Sequence, residues 1–148
     1  MDFIKRSKEV FYLEIVELQK LAEKIGTEIN EVVELIYSIK GKLVIMGIGK
    51  TGIIGHKIAS SLASTGTPAI FVNASEAMHG DLGMVSKDDI VLLISNSGSS
   101  SEILNVVAPL KKIGCTLIAM TGNPKSTLAK EVSLMLISEY QKRHVLLD

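Results

Sequence analysis

Several features are scarce in this sequence, and each scarcity excludes a class of protein. The chain has one cysteine, Cys115, so no intrachain disulfide can form. Its 16 basic and 16 acidic residues balance, which leaves no basic surplus of the kind typical of nucleic-acid binders. No apolar run approaches the roughly 18 to 20 residues that cross a bilayer, and the N-terminus has no signal-peptide core. These scarcities predict a cytoplasmic protein that binds neither nucleic acid nor membrane.

The overall composition is that of a folded domain. The chain has 148 residues, of which 47% are hydrophobic and 22% charged. This length and composition predict a single domain with a real core and argue against disorder. Because the net charge is zero, no net charge repulsion between copies opposes self-association, which favours an oligomer.

Apolar periodicity predicts two N-terminal helices followed by alternating strands and helices. Apolar residues at helical spacing occupy 2–25, and Gly26 ends that helix. The second helix is expected to bury Ile29, Val32, Val33, Ile36 and Ile39. Strands are predicted at 43–46, 69–72, 90–95, 116–121 and 134–137, with helices at 52–64, 100–113 and 125–131.

The fold class follows from these elements. Short, continuously apolar strands separated by helices indicate a five-stranded parallel sheet in an αβα sandwich, preceded by helices. We expect residues 1–40 to pack on the core or on a neighbouring subunit, and 41–148 to form the binding domain. Ligands of such sheets bind beyond the carboxyl ends of the strands. Three of those ends are rich in Gly, Ser and Thr: 47–52, 95–101 and 121–127.

The first of these turns has the spacing G-x-G-x-x-G over residues 47–52. A dinucleotide site would need an acidic residue at the end of the second strand, and a triphosphate loop would need glycine where Val44 stands. A strand, a glycine turn and a helix N-terminus remain, which favour an anion near Gly49. Lys50 would add a charge and Thr51 a hydroxyl. The alternative, that the glycines only permit close packing while Lys50 is solvated, stays open.

The second turn, SNSGSSSE, lies between a buried strand and an amphipathic helix. Serine hydroxyls donate to phosphate without adding charge, and a helix N-terminus adds its dipole. Glu102 follows in the first turn of the helix, where it either points to the rest of a substrate or only offsets the dipole. Two anion-binding turns on neighbouring strands predict one phosphorylated ligand bridging them. The candidate donors in this turn are Ser95, Asn96, Ser97 and Ser100.

A third cluster, NASEAMHGDLGM, covers residues 73–84. Glu76 and His79 are spaced i, i+3 and would face one way on a helical turn, as an acid/base pair would. The alternative is an ordinary loop histidine. No metal site is expected, because one histidine and two carboxylates lack a recognisable ligand spacing. His56 and His144 are expected at the surface.

Taken together, the three clusters resemble the SIS (sugar isomerase) domain, and most of all that of arabinose-5-phosphate isomerases. The matching stretches are GIGKTGIIGHKIASSLASTGTPAIFV, EAMHGDLGM, ISNSGSSSEI and TGNPKSTLA, in order across about residues 40 to 131. The resemblance implies a flavodoxin-like fold and phosphate binding by Ser95, Ser97 and Ser100 with Thr51. It further implies active-site roles for Lys50, His79 and Glu102, and Glu76 matches the position of the base in related isomerases.

The sequence also departs from the family pattern. Ser99 stands where the family commonly has Glu, and CBS modules are absent. Beyond the last strand the family continues with an acidic residue and a Ser/Thr-rich helix, for which Glu139 is an approximate substitute.

The expected function is that of a cofactor-free aldose–ketose isomerase acting on a sugar phosphate. The resemblance points to D-arabinose 5-phosphate and D-ribulose 5-phosphate, interconverted through an enediol, in the supply of 3-deoxy-manno-octulosonate for lipopolysaccharide. The base would be Glu102 or Glu76. A sugar-phosphate sensor without turnover and a 3-hexulose-6-phosphate isomerase are the alternatives. The long first helix predicts a homodimer or homotetramer.

Overall fold

The computed structural model describes residues 2–138 and contains a five-stranded parallel sheet with helices on both faces. Glu139 and His144 lie outside the described residues. The elements in chain order are α1 (Phe3–Lys24), α2 (Glu28–Tyr37), β1 (Leu43–Gly47), α3 (Gly49–Ser64), β2 (Ala69–Asn73), α4 (Ala74–Ala77), a 3-10 turn (Asp81–Met84), β3 (Ile90–Ile94), α5 (Ser101–Ile113), β4 (Thr116–Thr121), α6 (Thr127–Glu131) and β5 (Leu134–Ile137).

The sheet has the strand order β2-β1-β3-β4-β5, and every neighbouring pair is parallel. The predicted fold class is therefore confirmed. All five predicted strands are present, with ends that differ from the expectation by a residue at most. The largest shift is at α3, which begins at Gly49 instead of residue 52 because the glycine turn itself enters the helix.

The two faces of the sheet carry separate apolar layers. In β1, Val44 and Met46 pack in the layer that includes α5, whereas Leu43 and Ile45 pack in the layer that includes α2 and α3. This alternation buries every residue of β1 and β3, which explains why their sequences are continuously apolar. Cys115 is buried in the α5 layer as a free thiol, and this burial raises the pKa of its thiol.

The expected core face of α2 is wrong at one position. Val32 is 4% exposed, but Val33 is 56% exposed. Successive helical residues are rotated by about 100°, so Val33 points away once Val32 faces the sheet. Ile29, Ile36 and Ile39 are only partly buried.

The first helix contributes to neither core layer. None of its residues is buried. The helix presents several exposed large apolar side chains: Phe3, Ile4, Phe11, Tyr12, Ile15, Val16 and Leu18.

An ion pair with a buried carboxylate links the amino ends of β1 and β3. It lies at the opposite end of these strands from the Ser-rich turn. Asp89 has a side chain only 1% exposed, and its Oδ2 lies 2.8 Å from Lys42 Nζ. The carboxylate also accepts the backbone N–H groups of Lys42 at 2.9 Å and Ser86 at 2.7 Å. Burial alone would raise the pKa of Asp89, but the hydrogen bonds from Lys42 and Ser86 outweigh it and hold that pKa below its ordinary value.

Replacing Asp89 with alanine is expected to lower the free energy of unfolding by about 3 kcal/mol, because it leaves Lys42 and two backbone N–H groups without their partner. The folded-state pKa of Asp89 is depressed, so its stabilisation is fully present above the unfolded-state pKa and is lost as the pH falls through the folded-state value. Urea unfolding from pH 7 to pH 2 measures both effects. Asp88→Ala, an exposed neighbour, is the matched control. If the free energy of unfolding of Asp89→Ala changed with pH in the same way as that of wild type from pH 7 to pH 2, this role would be contradicted.

Candidate functional site

The strand order creates a cleft between β1 and β3. From β1 the chain crosses to β2 on one side, and β3 then adds on the other side of β1. In open parallel sheets this switch point is where ligands bind. A cavity of about 340 Å³ lies there, lined by Ile48, Lys50, Thr51, Ser95, Asn96, Ser97 and Ser100. The structure thus brings six of the predicted residues together, from two separate turns, and we name this space the phosphate cavity after that prediction.

Two helices begin at the cavity without a side-chain cap. Ile48 precedes α3 and Ser100 precedes α5, and neither side chain accepts a hydrogen bond from the first turn of its helix. Serine is among the preferred capping residues, yet the Ser100 hydroxyl lies 3.1 Å from Ser95 Oγ instead. By contrast, Asp2, Asn73 and Ser126 cap α1, α4 and α6. Two positive dipole ends therefore meet at a cavity that also contains Lys50, an arrangement suited to an anion.

The hydroxyl groups of the second turn are linked to one another. Ser95 is 2% exposed, and its Oγ accepts the N–H of Gly98 at 3.1 Å. Ser97 Oγ accepts from the N–H and the hydroxyl of Ser99, at 3.3 and 3.1 Å. The turn is held in shape by its own side chains, and it presents uncharged donors to the cavity.

Thr51 lines the cavity, but its hydroxyl is engaged elsewhere. The hydroxyl accepts the N–H of Ile48 at 3.2 Å and donates to the Ile48 carbonyl at 3.0 Å. These two hydrogen bonds close the first turn of α3. For the Thr51 hydroxyl to contact a ligand, its side chain would have to rotate and break them. Thr51 as a phosphate donor stays a prediction.

The glycines of the first turn have different tasks. A β-carbon at Gly47 would lie 2.8 Å from the backbone of Thr51, so this glycine permits close packing of the turn. Gly49 has φ +55 and open space around it, so it is needed for its left-handed backbone and not for packing. The packing interpretation of the motif therefore holds at Gly47, whereas Gly49 serves the turn of the backbone, and anion binding near Gly49 stays a prediction.

The polar turn at residues 121–127 does not line the cavity. It supports the turn at residues 95–101, which we name the serine turn. Thr121 is fully buried, and its hydroxyl donates to the Asn96 carbonyl at 3.3 Å. Gly122 N–H donates to the same carbonyl, and Leu128 N–H donates to the Gly98 carbonyl, both at 3.0 Å. Residues 121–128 thus act as a protein partner for the backbone of the serine turn.

Glu102 lies close in sequence to the cavity lining. It is the second residue of α5, next to Ser101, and follows the cavity-lining Ser100 by two positions. Its Oε2 accepts a hydrogen bond from the Ser101 hydroxyl at 3.0 Å, and the residue is half-buried. Glu102 thus follows the cavity lining closely in sequence without being part of it.

Glu76 and His79 follow the carboxyl end of β2, in α4 and just after it. Glu76 is in α4, and its carbonyl accepts the backbone N–H of His79 at 2.8 Å. Both residues are exposed, and neither lines the phosphate cavity. The predicted phosphate residues share one cavity lining, and the predicted acid/base pair is not part of that lining.

A second cavity, of about 570 Å³, lies between α3 and the edge strand β2. It includes Gly49, His56, Lys57, Phe71 and Asn73. His56 is exposed, as expected, and its ring centroid is 5.7 Å from that of Phe71. Sequence reasoning missed this cavity, because it arises from the angle between a helix and a strand and has no sequence pattern.

The described part of the chain contains neither a cluster suited to a metal ion nor a membrane-spanning helix. Within residues 2–138, no three or more His, Cys, Asp and Glu side chains are grouped so that they could hold a metal ion. In the same range, no helix is both long and apolar enough to cross a bilayer.

Comparisons with known proteins confirm the resemblance that the sequence motifs carry. The SIS domain model matches residues 35–146. Arabinose 5-phosphate isomerase KdsD of Pseudomonas aeruginosa is 47% identical over 92% of this chain and 42% of its own length. KdsD of Escherichia coli K12 is 44% identical over 95% of this chain and 43% of its own. The chain therefore spans less than half the length of these curated relatives.

A solved structure extends the likeness to three dimensions. An E. coli CFT073 protein in complex with arabinose 5-phosphate superposes with a TM-score of 0.88 and 43% identity. The superposition covers 92% of this chain and 72% of that one.

Proposed function

The chain belongs to the SIS domain family, and from this premise we propose that it binds a phosphorylated sugar and contributes to aldose–ketose isomerisation. The reaction proposed is the interconversion of D-arabinose 5-phosphate and D-ribulose 5-phosphate. The KdsD relatives carry that activity in their names, and a similar structure holds arabinose 5-phosphate.

The observation that carries the proposal is the phosphate cavity at the switch point. Two uncapped helix N-termini, the Lys50 ammonium and the hydroxyls of the serine turn converge there. A phosphate held in this cavity anchors the sugar, so that its binding energy orients the reacting carbonyl end. The lining has one cation and no carboxylate, which suits a dianion.

The proposed chemistry is proton transfer within the sugar. A carboxylate removes the proton from C2 of the open-chain aldose, the electron pair forms the C1–C2 double bond, and the C1 carbonyl oxygen takes up a proton to give an enediol. The carboxyl group then delivers its proton to C1, and O2 gives up its hydrogen as the C2 carbonyl of the ketose forms. The proton lost from O2 balances the proton gained by O1. Glu102 is our first choice for the base and Glu76 the second. Lys50 would stabilise the enediolate oxygen, and His79 would assist ring opening.

Binding without turnover is the second candidate function. One observation favours it: Glu76 and His79 do not line the cavity of one chain. A domain with an intact phosphate cavity and an incomplete acid/base set would still bind the sugar.

Proton NMR of arabinose 5-phosphate with the purified chain in D2O separates the two functions. Ketose with deuterium at C1 is the expected result, because the proton held by the base exchanges with solvent before it is returned. The phosphorus resonance of the sugar, followed in the same samples, reports binding. A shifted phosphorus resonance with no exchange would establish binding without turnover, and a resonance that does not move would remove both functions.

We further propose a cytoplasmic homo-oligomer, either a dimer or a tetramer. The exposed apolar side chains of α1, Phe11 and Ile15 among them, support a contact with a second copy. A single buried cysteine is consistent with a reducing compartment. Sedimentation equilibrium should give a multiple of 16.0 kDa. A mass of one chain at micromolar concentration would refute the oligomer.

A further inference from the structure

We propose that Ser99, which lies outside the phosphate cavity, is a positioning residue that makes Ser97 a pure hydrogen-bond donor toward the ligand. This inference rests on the proposed function in one respect, that the cavity holds a phosphate. Ser99 is exposed and is not among the residues that line the cavity, whereas Ser97 is. Its influence therefore passes through Ser97.

The argument starts from the hydrogen-bonding capacity of a serine hydroxyl, which has one hydrogen to donate and two lone pairs that accept. Ser97 Oγ accepts from Ser99 N at 3.3 Å and from Ser99 Oγ at 3.1 Å. Both lone pairs are thereby occupied. The one remaining interaction of the Ser97 hydroxyl is to donate its own hydrogen.

This arrangement matches the chemistry of a phosphate. The oxygens of a phosphate dianion are acceptors, so they pair with a hydroxyl whose only free function is donation. A ligand group that can only donate, such as an ammonium in the same place, would find no acceptor on Ser97. Ser99 thus favours an acceptor such as a phosphate oxygen at this position over a cationic donor.

The hydroxyl of Ser99 supplies the shorter of the two bonds. Alanine at position 99 would keep the longer backbone bond but would free one lone pair of Ser97, so the Ser97 hydroxyl would lose its fixed orientation. Threonine keeps the hydroxyl and should keep the effect. The bond of Ser95 with Gly98 N–H does not involve Ser99 and should hold the turn in shape in either variant.

Isothermal titration calorimetry with inorganic phosphate and with arabinose 5-phosphate tests the inference. In Ser99→Ala we expect Kd for both probes to rise about 3- to 10-fold, the range of one hydrogen bond. In Ser99→Thr, both Kd values should stay within about twofold of those of wild type. Ser64→Ala removes an exposed hydroxyl bonded to the Ser61 carbonyl at the far end of α3, and it should leave both Kd values unchanged.

The outcomes separate the inference from the function on which it rests. An unchanged Kd in Ser99→Ala, or a Ser99→Thr variant as weak as Ser99→Ala, would overturn the positioning role. A wild-type chain that binds neither probe would overturn it together with the phosphate cavity. A wild-type chain that binds phosphate without turnover would remove only the isomerase activity, and the Kd series would still decide the role of Ser99.

Discussion

Gly98→Ala is expected to weaken the binding of inorganic phosphate about 100-fold, by distorting the serine turn while the sheet stays folded. Gly98 has φ +62, in the left-handed region that alanine enters at a cost. A β-carbon there would also overlap Oγ and Cβ of Ser126 and lie 3.0 Å from Thr121 Oγ1. Strain and overlap together cost about 3 kcal/mol, which the turn relieves by moving.

Two further variants separate strain from overlap. Gly114 ends α5 with φ +86 and has open space around it, so Gly114→Ala imposes the left-handed strain at the far end of the same helix. It should lower the melting temperature without changing the Kd for phosphate. Gly98→Ala combined with Ser126→Gly removes the overlap with Ser126 but not the strain or the close approach to Thr121, and it should recover about 10-fold of the lost affinity. Ser126→Gly alone, which removes the cap of α6, is the control for the double variant.

Calorimetric titration of the variants with phosphate, together with circular dichroism, provides the measurement. Near-wild-type affinity in Gly98→Ala would mean that the turn tolerates the β-carbon and that residues 121–128 do not hold it. Equal losses of affinity in Gly98→Ala and Gly114→Ala would mean that general destabilisation, and not the shape of the turn, is responsible.

The support of one turn by another is what the sequence could not reveal. Composition identified three polar turns at strand ends, and all three are at the carboxyl edge of the sheet. The residue types do not distinguish a hydroxyl that faces a ligand from one that faces protein. Ser95 and Thr121 are both buried, yet only Ser95 lines the cavity. That difference depends on how β3 and β4 are placed, which no local spacing encodes.

Elements with strong local signals were predicted well. Continuous apolar runs marked β1 and β3, because a parallel sheet covered on both faces leaves no side for polar residues. Val33 was misplaced because its spacing from Ile29 fits a helical stripe, and the choice of the buried stripe depends on the angle at which α2 meets the sheet. The absence of Glu76 and His79 from the cavity lining was likewise beyond the sequence, since the path of the chain from β2 to β3 sets their position.

Glu102→Gln is expected to lower the rate of deuterium exchange at C2 of arabinose 5-phosphate by about 10²- to 10⁴-fold, the contribution typical of a general base. The amide keeps the size of the carboxylate and can still accept the Ser101 hydroxyl, but it cannot take a proton. Glu102 lies two residues beyond Ser100, within one helical turn of the phosphate cavity, whereas Glu76 is exposed at the end of β2. Glu76→Gln should therefore lose much less of the exchange rate.

The affinity for phosphate distinguishes a base from a binding residue in the same experiment. A carboxylate near a bound dianion repels it, so Glu102→Gln should bind inorganic phosphate as tightly as wild type or more tightly, although exchange is lost. Ser101→Ala removes only the hydrogen bond to Oε2 and should reduce exchange modestly. Loss of exchange in Glu76→Gln with full activity in Glu102→Gln would reverse the assignment. The working site would then require the end of β2 to meet a phosphate cavity that it does not line within one chain, and a second copy of the chain would be the natural source of that contact.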